Sequence, residues 1–171
     1  MGRTGEAADG GGCAVSPGSL VIARLARDAA RFARPIGLDT QALIGYVEDR
    51  EPIASLLARI VDDPNVPIVI STVSIAELLT LPARSADRKV LDTLLFAIAS
   101  LPGMTVHSID ERTALETALV RAQTGLKLPD AAIVATARLV NALAIVGNDR
   151  QWRNRPLGVA YVHLDDIMSI A

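Results

Sequence analysis

Cysteine and aromatic residues are scarce in this chain. Its single cysteine, Cys13, excludes an intrachain disulfide and a zinc cluster built from several cysteines, and it suits a reducing cytosol. With one Trp, two Tyr and two Phe, the hydrophobic core has to be built mainly from Ala, Leu, Ile and Val. Positive charge is not in excess either, since the formal net charge is −2. Nucleic acid could therefore be bound only through a local basic patch.

Long hydrophobic runs are absent as well. A transmembrane helix needs about 20 consecutive apolar residues, and the longest candidate, residues 90–101, is interrupted by Asp92. The first residues contain no hydrophobic segment of the kind found in signal peptides. We therefore expect a cytoplasmic protein without a membrane partner. A chain of 171 residues, half of them hydrophobic, can bury one core, so we expect one globular domain.

The N-terminal region differs in composition from the rest of the chain. Residues 1–19 contain six glycines and almost no large apolar side chain, which predicts a disordered tail. Residues 20–34 predict a basic amphipathic extension, because apolar side chains alternate at helical spacing with Arg24, Arg27, Arg31 and Arg34. Two interpretations of this extension stay open: a helix that binds membrane, RNA or a partner, or translated sequence upstream of a true start near Val21. The main domain is expected to span residues 35–171.

From Pro35 onward, short apolar runs alternate with segments of helical periodicity. The runs predict five strands, at 36–39, 67–71, 104–108, 143–147 and 159–163. The segments between them predict helices at about 40–49, 52–62, 73–81, 86–100, 110–124 and 130–141. Pro82 is expected to end the helix at 73–81. Continuous apolar strands that alternate with helices indicate an α/β fold with a parallel sheet covered on both faces.

Four carboxylates lie where a predicted strand ends or a helix begins: Asp39, Glu77, Asp130 and Asp149. Right-handed crossovers bring the carboxyl ends of parallel strands to one edge of the sheet, where ligands bind. Like charges brought together raise each other's pKa and oppose folding. A fold that assembles these acids is therefore expected to hold a hard divalent cation through oxygen ligands.

Each of the four acids also has an ordinary structural explanation. Asp39 could cap the helix that follows it, and Ser74 with Glu77 has the spacing of a capping box. Asp130 could stabilise the first turn of a helix, and Asp149 could lie in a turn. The arrival of all four at the same edge of the sheet is what favours a functional site.

Four segments resemble, in order, the sequence motifs of PIN domains, and in particular of VapC-type toxins of bacterial toxin–antitoxin pairs. They are Ile36–Ile44, Ser74–Leu79, Leu128–Ala137 and Gly147–Trp152. The resemblance covers about residues 35–166. The fourth motif departs from the family at two positions, because Gly147 stands where Thr is common and Trp152 stands where Phe is usual. One hydroxyl group that could steady the site is therefore missing.

The resemblance implies a PIN-like three-layer sandwich with a central parallel sheet of about five strands. It also implies a metal-dependent ribonuclease that binds Mg²⁺ or Mn²⁺ through Asp39, Glu77, Asp130 and Asp149. Metal ions held in this way activate a water molecule and neutralise charge on the scissile phosphate of RNA. Asp39 would be the central ligand, with Glu77 and Asp130 completing the site, and Asp149 would orient a second metal ion or its waters.

Further residues are expected to support this site. The hydroxyl groups of Thr40 and Ser74 are candidates for holding the ligands in place, although both also suit helix caps. Three arginines beside Asp149 could bind phosphates of the substrate or form a solvated loop face: Arg150, Arg153 and Arg155.

Partners follow from the same resemblance and from exposed apolar residues. A toxin would be inhibited by a small antitoxin protein that places an Arg or Lys near Asp39 and Asp130. A homodimer is expected because one segment offers more apolar surface than the face of a small sheet can cover. Its residues are Val90, Leu91, Leu94, Leu95, Phe96 and Ile98.

Other functions stay open. A PIN domain could process RNA outside a toxin pair, or it could be a catalytically silent binding module. A haloacid-dehalogenase phosphatase is disfavoured, because Asp39 would then be followed two residues later by a second Asp, and this chain has Gln41 there.

Overall fold

The computed structural model of the protein describes residues 17–168. The helices are α1 (Pro17–Phe32), α2 (Thr40–Val47), α3 (Ile53–Val61), α4 (Thr72–Arg84), α5 (Arg88–Ala99), α6 (Glu111–Thr124), α7 (Leu128–Leu139) and α8 (Leu164–Met168). The strands are β1 (Ile36–Leu38), β2 (Ile68–Ser71), β3 (Met104–His107), β4 (Ala144–Gly147) and β5 (Ala160–His163), and a 3-10 helix covers Arg150–Asn154. No helix within residues 17–168 is both long enough and apolar enough to cross a membrane.

The five strands form one parallel sheet in the order β3-β2-β1-β4-β5. β1 is the central strand, with Ile36 opposite Ile68 of β2 on one side and Ala144 of β4 on the other. All strands point the same way, so their carboxyl ends meet at one edge. The predicted parallel sheet of five strands is therefore confirmed.

Two hydrophobic clusters cover the two faces of the sheet. The larger joins buried residues of α1, α2, α3, α4, α5 and α8 to β1 and β2, and includes Leu43, Leu57 and Ile68. The smaller joins α6 and α7 to β4 and the 3-10 helix, and includes Val120, Ile145 and Trp152. Among the fully buried hydrophobic residues of the described chain, Trp152 is the one aromatic side chain, and the others are aliphatic. The three-layer sandwich is thus confirmed.

Helix α1 packs against α3 and α8. It begins at Pro17, three residues before the boundary predicted at residue 20, which agrees with the preference for proline in the first turn of a helix. Ile22 and Ala29 are fully buried in the larger cluster, whereas Arg24, Arg27 and Arg31 are exposed. The remainder of the predicted tail, residues 1–16, lies outside the described residues.

One predicted helix end is wrong. Pro82 does not stop α4, which continues to Arg84 with the proline inside its last turns. Proline lacks an N–H and removes one bond to the carbonyl four residues earlier. The helix ends at Arg84, less than one turn after Pro82, so the proline still lies close to the end of the helix.

Candidate active site

Asp39 occupies the centre of the carboxyl edge, directly after β1. Its side chain caps α2, since Oδ1 accepts a hydrogen bond from the backbone N–H of Ala42 at 2.6 Å. The other oxygen, Oδ2, accepts from the backbone N–H of Asn148 at 2.8 Å, just beyond β4. The residue is 3% exposed. The structure therefore confirms the capping explanation for Asp39 and places the residue at the edge where the site is predicted, and its role as a metal ligand stays a prediction.

Burial dominates the electrostatics of Asp39. Desolvation, with a smaller contribution from the charge of Asp149, raises the pKa of this carboxyl group from 3.8 to about 6, against the opposing effect of the N–H groups of Ala42 and Asn148. A carboxylate with this pKa is costly to keep ionised in the folded protein near neutral pH. A cation placed beside it would remove that cost.

Glu77 approaches the same edge from α4, which follows β2. The hydroxyl group of Thr40, the first residue of α2, donates a hydrogen bond to Glu77 Oε2. Thr40 thus connects the start of α2 to the second turn of α4 and limits where the Glu77 carboxylate can point. This contact is in keeping with the supporting role expected for Thr40.

The predicted capping box at Ser74 is wrong. Helix α4 starts at Thr72, and its N-cap is Ser71, whose hydroxyl group accepts from the backbone N–H of Val73 at 3.3 Å. The sequence places an equally good cap three residues earlier, at the end of β2. Ser74 is fully buried one turn before Glu77, and its hydroxyl group has no hydrogen-bond partner among the described residues.

Asp130 and Asp149 complete the group of acids. Asp130 lies in the first turn of α7, and burial raises the pKa of its carboxyl group, with further contributions from the charges of Asp149 and Glu77. Asp149 caps the 3-10 helix by accepting from the backbone N–H of Gln151 at 2.8 Å. The charge of Asp149 therefore raises the pKa of both Asp39 and Asp130, and the charge of Glu77 raises the pKa of Asp130. All four sequence-predicted acids are brought to one edge.

The acids are neighbours without forming a finished coordination sphere. Within the described part of the chain, no three His, Cys, Asp or Glu side chains are close enough to hold a metal ion as they stand. Their chemistry nevertheless fits a hard divalent cation, because carboxylate oxygens are its preferred ligands. Burial is the main cause of the raised pKa values of Asp39 and Asp130, and repulsion from neighbouring acids adds to it. Asp39, Glu77, Asp130 and Asp149 would have to draw closer to hold it.

The three arginines beside Asp149 all contact their own chain. Arg150 Nη2 lies 2.8 Å from Asp165 Oδ2, and Arg153 Nη2 lies 2.7 Å from Asp166 Oδ1. Arg155 Nη1 donates to the carbonyl oxygen of Thr124 at 2.9 Å. The first two contacts attach α8 to the 3-10 helix on the protein surface. Phosphate binding by these arginines stays a prediction.

Two residues that the sequence analysis did not assign to the site lie close to it. The hydroxyl group of Tyr161, on β5, accepts from the backbone N–H of Asp149 at 3.0 Å and donates to its carbonyl oxygen at 3.1 Å. A Cβ atom added to Gly147 would lie 2.2 Å from Asp39 Oδ2. The absence of a side chain at position 147 is therefore what lets the Asp39 carboxylate occupy its place. The sequence offers one indication of Tyr161, which is one of only two tyrosines in the chain and lies in the last predicted strand.

Comparison with known families agrees with this arrangement. The family model of the PIN domain matches residues 36–156, which is more than half of the chain. The chain belongs to the PIN-domain family. No curated protein sequence matches the chain significantly.

Solved structures share the fold of this PIN domain. A toxin–antitoxin complex from Klebsiella pneumoniae matches with a TM-score of 0.58 and 21% identity, covering 74% of this chain and 95% of that one. DNA-bound VapBC from Salmonella typhimurium matches with a TM-score of 0.58 and 19% identity, covering 76% and 98%. VapBC2 from Rickettsia felis, bound to a promoter DNA fragment, matches with a TM-score of 0.58 and 18% identity, covering 76% and 98%.

Proposed function

We propose that this PIN domain is a divalent-metal-dependent ribonuclease of the cytoplasm and the toxin of a VapBC-type toxin–antitoxin pair. The observation that supports the nuclease most is the convergence of four acids that lie just after β1, in α4, in α7 and just after β4. The pKa values of two of them, Asp39 and Asp130, are raised. The toxin assignment rests on the sequence motifs and on structural neighbours that are toxin–antitoxin complexes.

The chemistry assigns different tasks to the acids. When bound, Mg²⁺ or Mn²⁺ would supply Lewis-acid activation of a water molecule and neutralise charge on the scissile phosphate. Asp39, which accepts hydrogen bonds from two backbone N–H groups, would be the central ligand. Glu77, held by Thr40, and Asp130 would complete the set, and Asp149 would orient a second metal ion or its waters.

A cleavage assay tests the nuclease. Purified protein is incubated with end-labelled RNA and with DNA of the same sequence, in Mg²⁺, in Mn²⁺ and in EDTA. We expect cleavage of RNA only with metal present, and loss of cleavage in Asp39→Asn. Asp49→Asn is the matched control, because Asp49 is exposed and has a positive φ of 53° that Asn also tolerates. Metal-independent cleavage would contradict the proposal.

The remaining alternatives differ in one result each. RNA binding without cleavage would favour a silent binding module. Cleavage that no neighbouring gene product inhibits would favour an RNA-processing nuclease outside a toxin pair. A small protein encoded immediately upstream that binds the chain and stops cleavage would support the toxin.

Exposed apolar residues on α5 support a protein partner. Val90 and Leu95 are exposed, and Phe96 is 74% exposed. Ile98, which was expected to belong to this surface, is instead 2% exposed and packs in the core. We propose that the α5 surface, defined as Val90, Leu95 and Phe96, is covered by a second copy of this chain in a homodimer.

A further inference from the structure

Tyr161 holds both backbone polar groups of a single residue. Its phenol oxygen accepts from the N–H of Asp149 at 3.0 Å and donates to the carbonyl oxygen of Asp149 at 3.1 Å. The parallel pairing of β4 with β5 ends at Gly147, opposite His163, so the sheet itself no longer holds the chain at Asp149. A side chain from β5 replaces the missing ladder bonds.

The ring of Tyr161 is fixed by its neighbours. Its centroid lies 5.4 Å from that of Trp152, in a tilted arrangement, and 6.1 Å from that of His163, edge to face. Trp152 is 1% exposed and lies in the 3-10 helix that Asp149 caps. Tyr161 therefore contacts that helix at two points, through its hydroxyl group at the cap and through its ring at Trp152.

Gly147 provides the space for this arrangement. A Cβ atom at position 147 would lie 3.0 Å from the Tyr161 hydroxyl oxygen and 2.2 Å from Asp39 Oδ2. The phenol and the Asp39 carboxylate thus share the volume that a side chain at position 147 would fill.

We propose that Tyr161 is a positioning residue that sets the place of the Asp149 carboxylate relative to Asp39. The turn after β4 is held from two sides, because Asp39 accepts the N–H of Asn148 and Tyr161 takes the N–H of the next residue. Asp39 and Asp149 repel each other when both are ionised. Without the phenol, this turn relaxes away from Asp39 and the acids present a wider, weaker cation site.

The test rests on the proposed metal-dependent function and measures metal binding apart from activity. Tyr161→Phe removes only the hydroxyl group, and Tyr46→Phe is the control, since Tyr46 bonds the exposed Asp62 on another part of the surface. We expect Mn²⁺ affinity, measured by electron paramagnetic resonance, to fall about 10- to 100-fold in Tyr161→Phe. Tyr46→Phe should bind like the wild type.

A double-mutant cycle separates positioning from a general loss of structure. If Tyr161 acts through Asp149, then Tyr161→Phe should have little further effect on Mn²⁺ affinity in an Asp149→Asn background. Equal affinity of the wild type and Tyr161→Phe would overturn the inference, as would full additivity in the cycle. Absence of Mn²⁺ binding by the wild type would instead overturn the proposed function, and the inference with it.

Discussion

Replacement of Asp39 by Asn should change the stability of the metal-free protein by an amount that depends on pH. Asn has nearly the shape of a protonated Asp and carries no charge, but its amide nitrogen cannot accept a hydrogen bond, so one of the two backbone N–H groups that bond Asp39 loses its acceptor. That loss costs about 1–3 kcal/mol and does not depend on pH. Each pKa unit corresponds to about 1.4 kcal/mol. The rise of the Asp39 pKa from 3.8 to about 6 is therefore equivalent to about 3 kcal/mol of folding free energy.

The sign follows from which state binds the proton more tightly. Because the pKa of Asp39 is higher in the folded protein than in the unfolded chain, its contribution to stability is fully present below 3.8 and is lost as the pH rises to about 6. The amide that replaces this carboxyl group in Asp39→Asn does not titrate. The stability of the variant relative to the wild type should therefore rise by up to about 3 kcal/mol between about pH 4 and a pH above about 6.

Urea denaturation in EDTA measures this difference directly. Trp152 is the single tryptophan and is buried, so its fluorescence reports unfolding of the core. Curves are compared at about pH 8 and about pH 4 for the wild type, for Asp39→Asn and for the surface control Asp49→Asn, which should change stability by less than about 0.5 kcal/mol. A stability difference between Asp39→Asn and the wild type that stays the same at both pH values would refute the reasoning.

Three further predictions concern other parts of the protein. Ile22→Ala should destabilise the protein by about 2–5 kcal/mol, because Ile22 is fully buried in α1. Val21 is exposed, so the control Val21→Ala should have little effect on stability. Equal melting temperatures of the two variants would exclude α1 from the folding unit. Phe96→Asp should abolish self-association in sedimentation velocity if the α5 surface forms a homodimer, and an unchanged sedimentation coefficient would remove this surface from the dimer. Inhibition by an antitoxin that places an Arg near Asp39 should weaken as Mg²⁺ is raised, since both compete for the same oxygens; potency indifferent to Mg²⁺ would leave steric blockade.

The fold could be predicted because its signals are local and repeated. Each strand from 36 onward is a short continuous apolar run and each helix has a 3.6-residue period, so the parallel sheet follows from the pattern. The observed strands differ from the predicted ones by a single residue at an end. Helix ends were less certain, as α4 shows, because a proline in the last turns shortens a helix without deciding its final residue.

The site could be predicted only in part, for a physical reason. The positions of Asp39 and Asp149 follow from the strand order, since Asp39 comes directly after β1 and Asp149 comes just after β4. The contact of Tyr161 with Asp149 depends instead on the length of a phenol that reaches across from β5. The sequence comparison indicates only that a hydroxyl group is missing at Gly147. The structure shows that a Cβ atom at this position would collide with the Asp39 carboxylate. Such close approaches are set by three-dimensional packing and leave no periodic trace in the sequence.

The packing of α1 against α8 has a consequence for the timing of synthesis. Helix α1 leaves the ribosome early, but part of the surface on which it docks belongs to α8, and Ile22 and Ile167 are buried in the same cluster. Until α8 has emerged, the apolar face of α1 stays uncovered and is a natural site for a chaperone. Strand β5, with Tyr161, also emerges late. We therefore expect the acids to reach their final arrangement only after β5 and α8 have emerged from the ribosome.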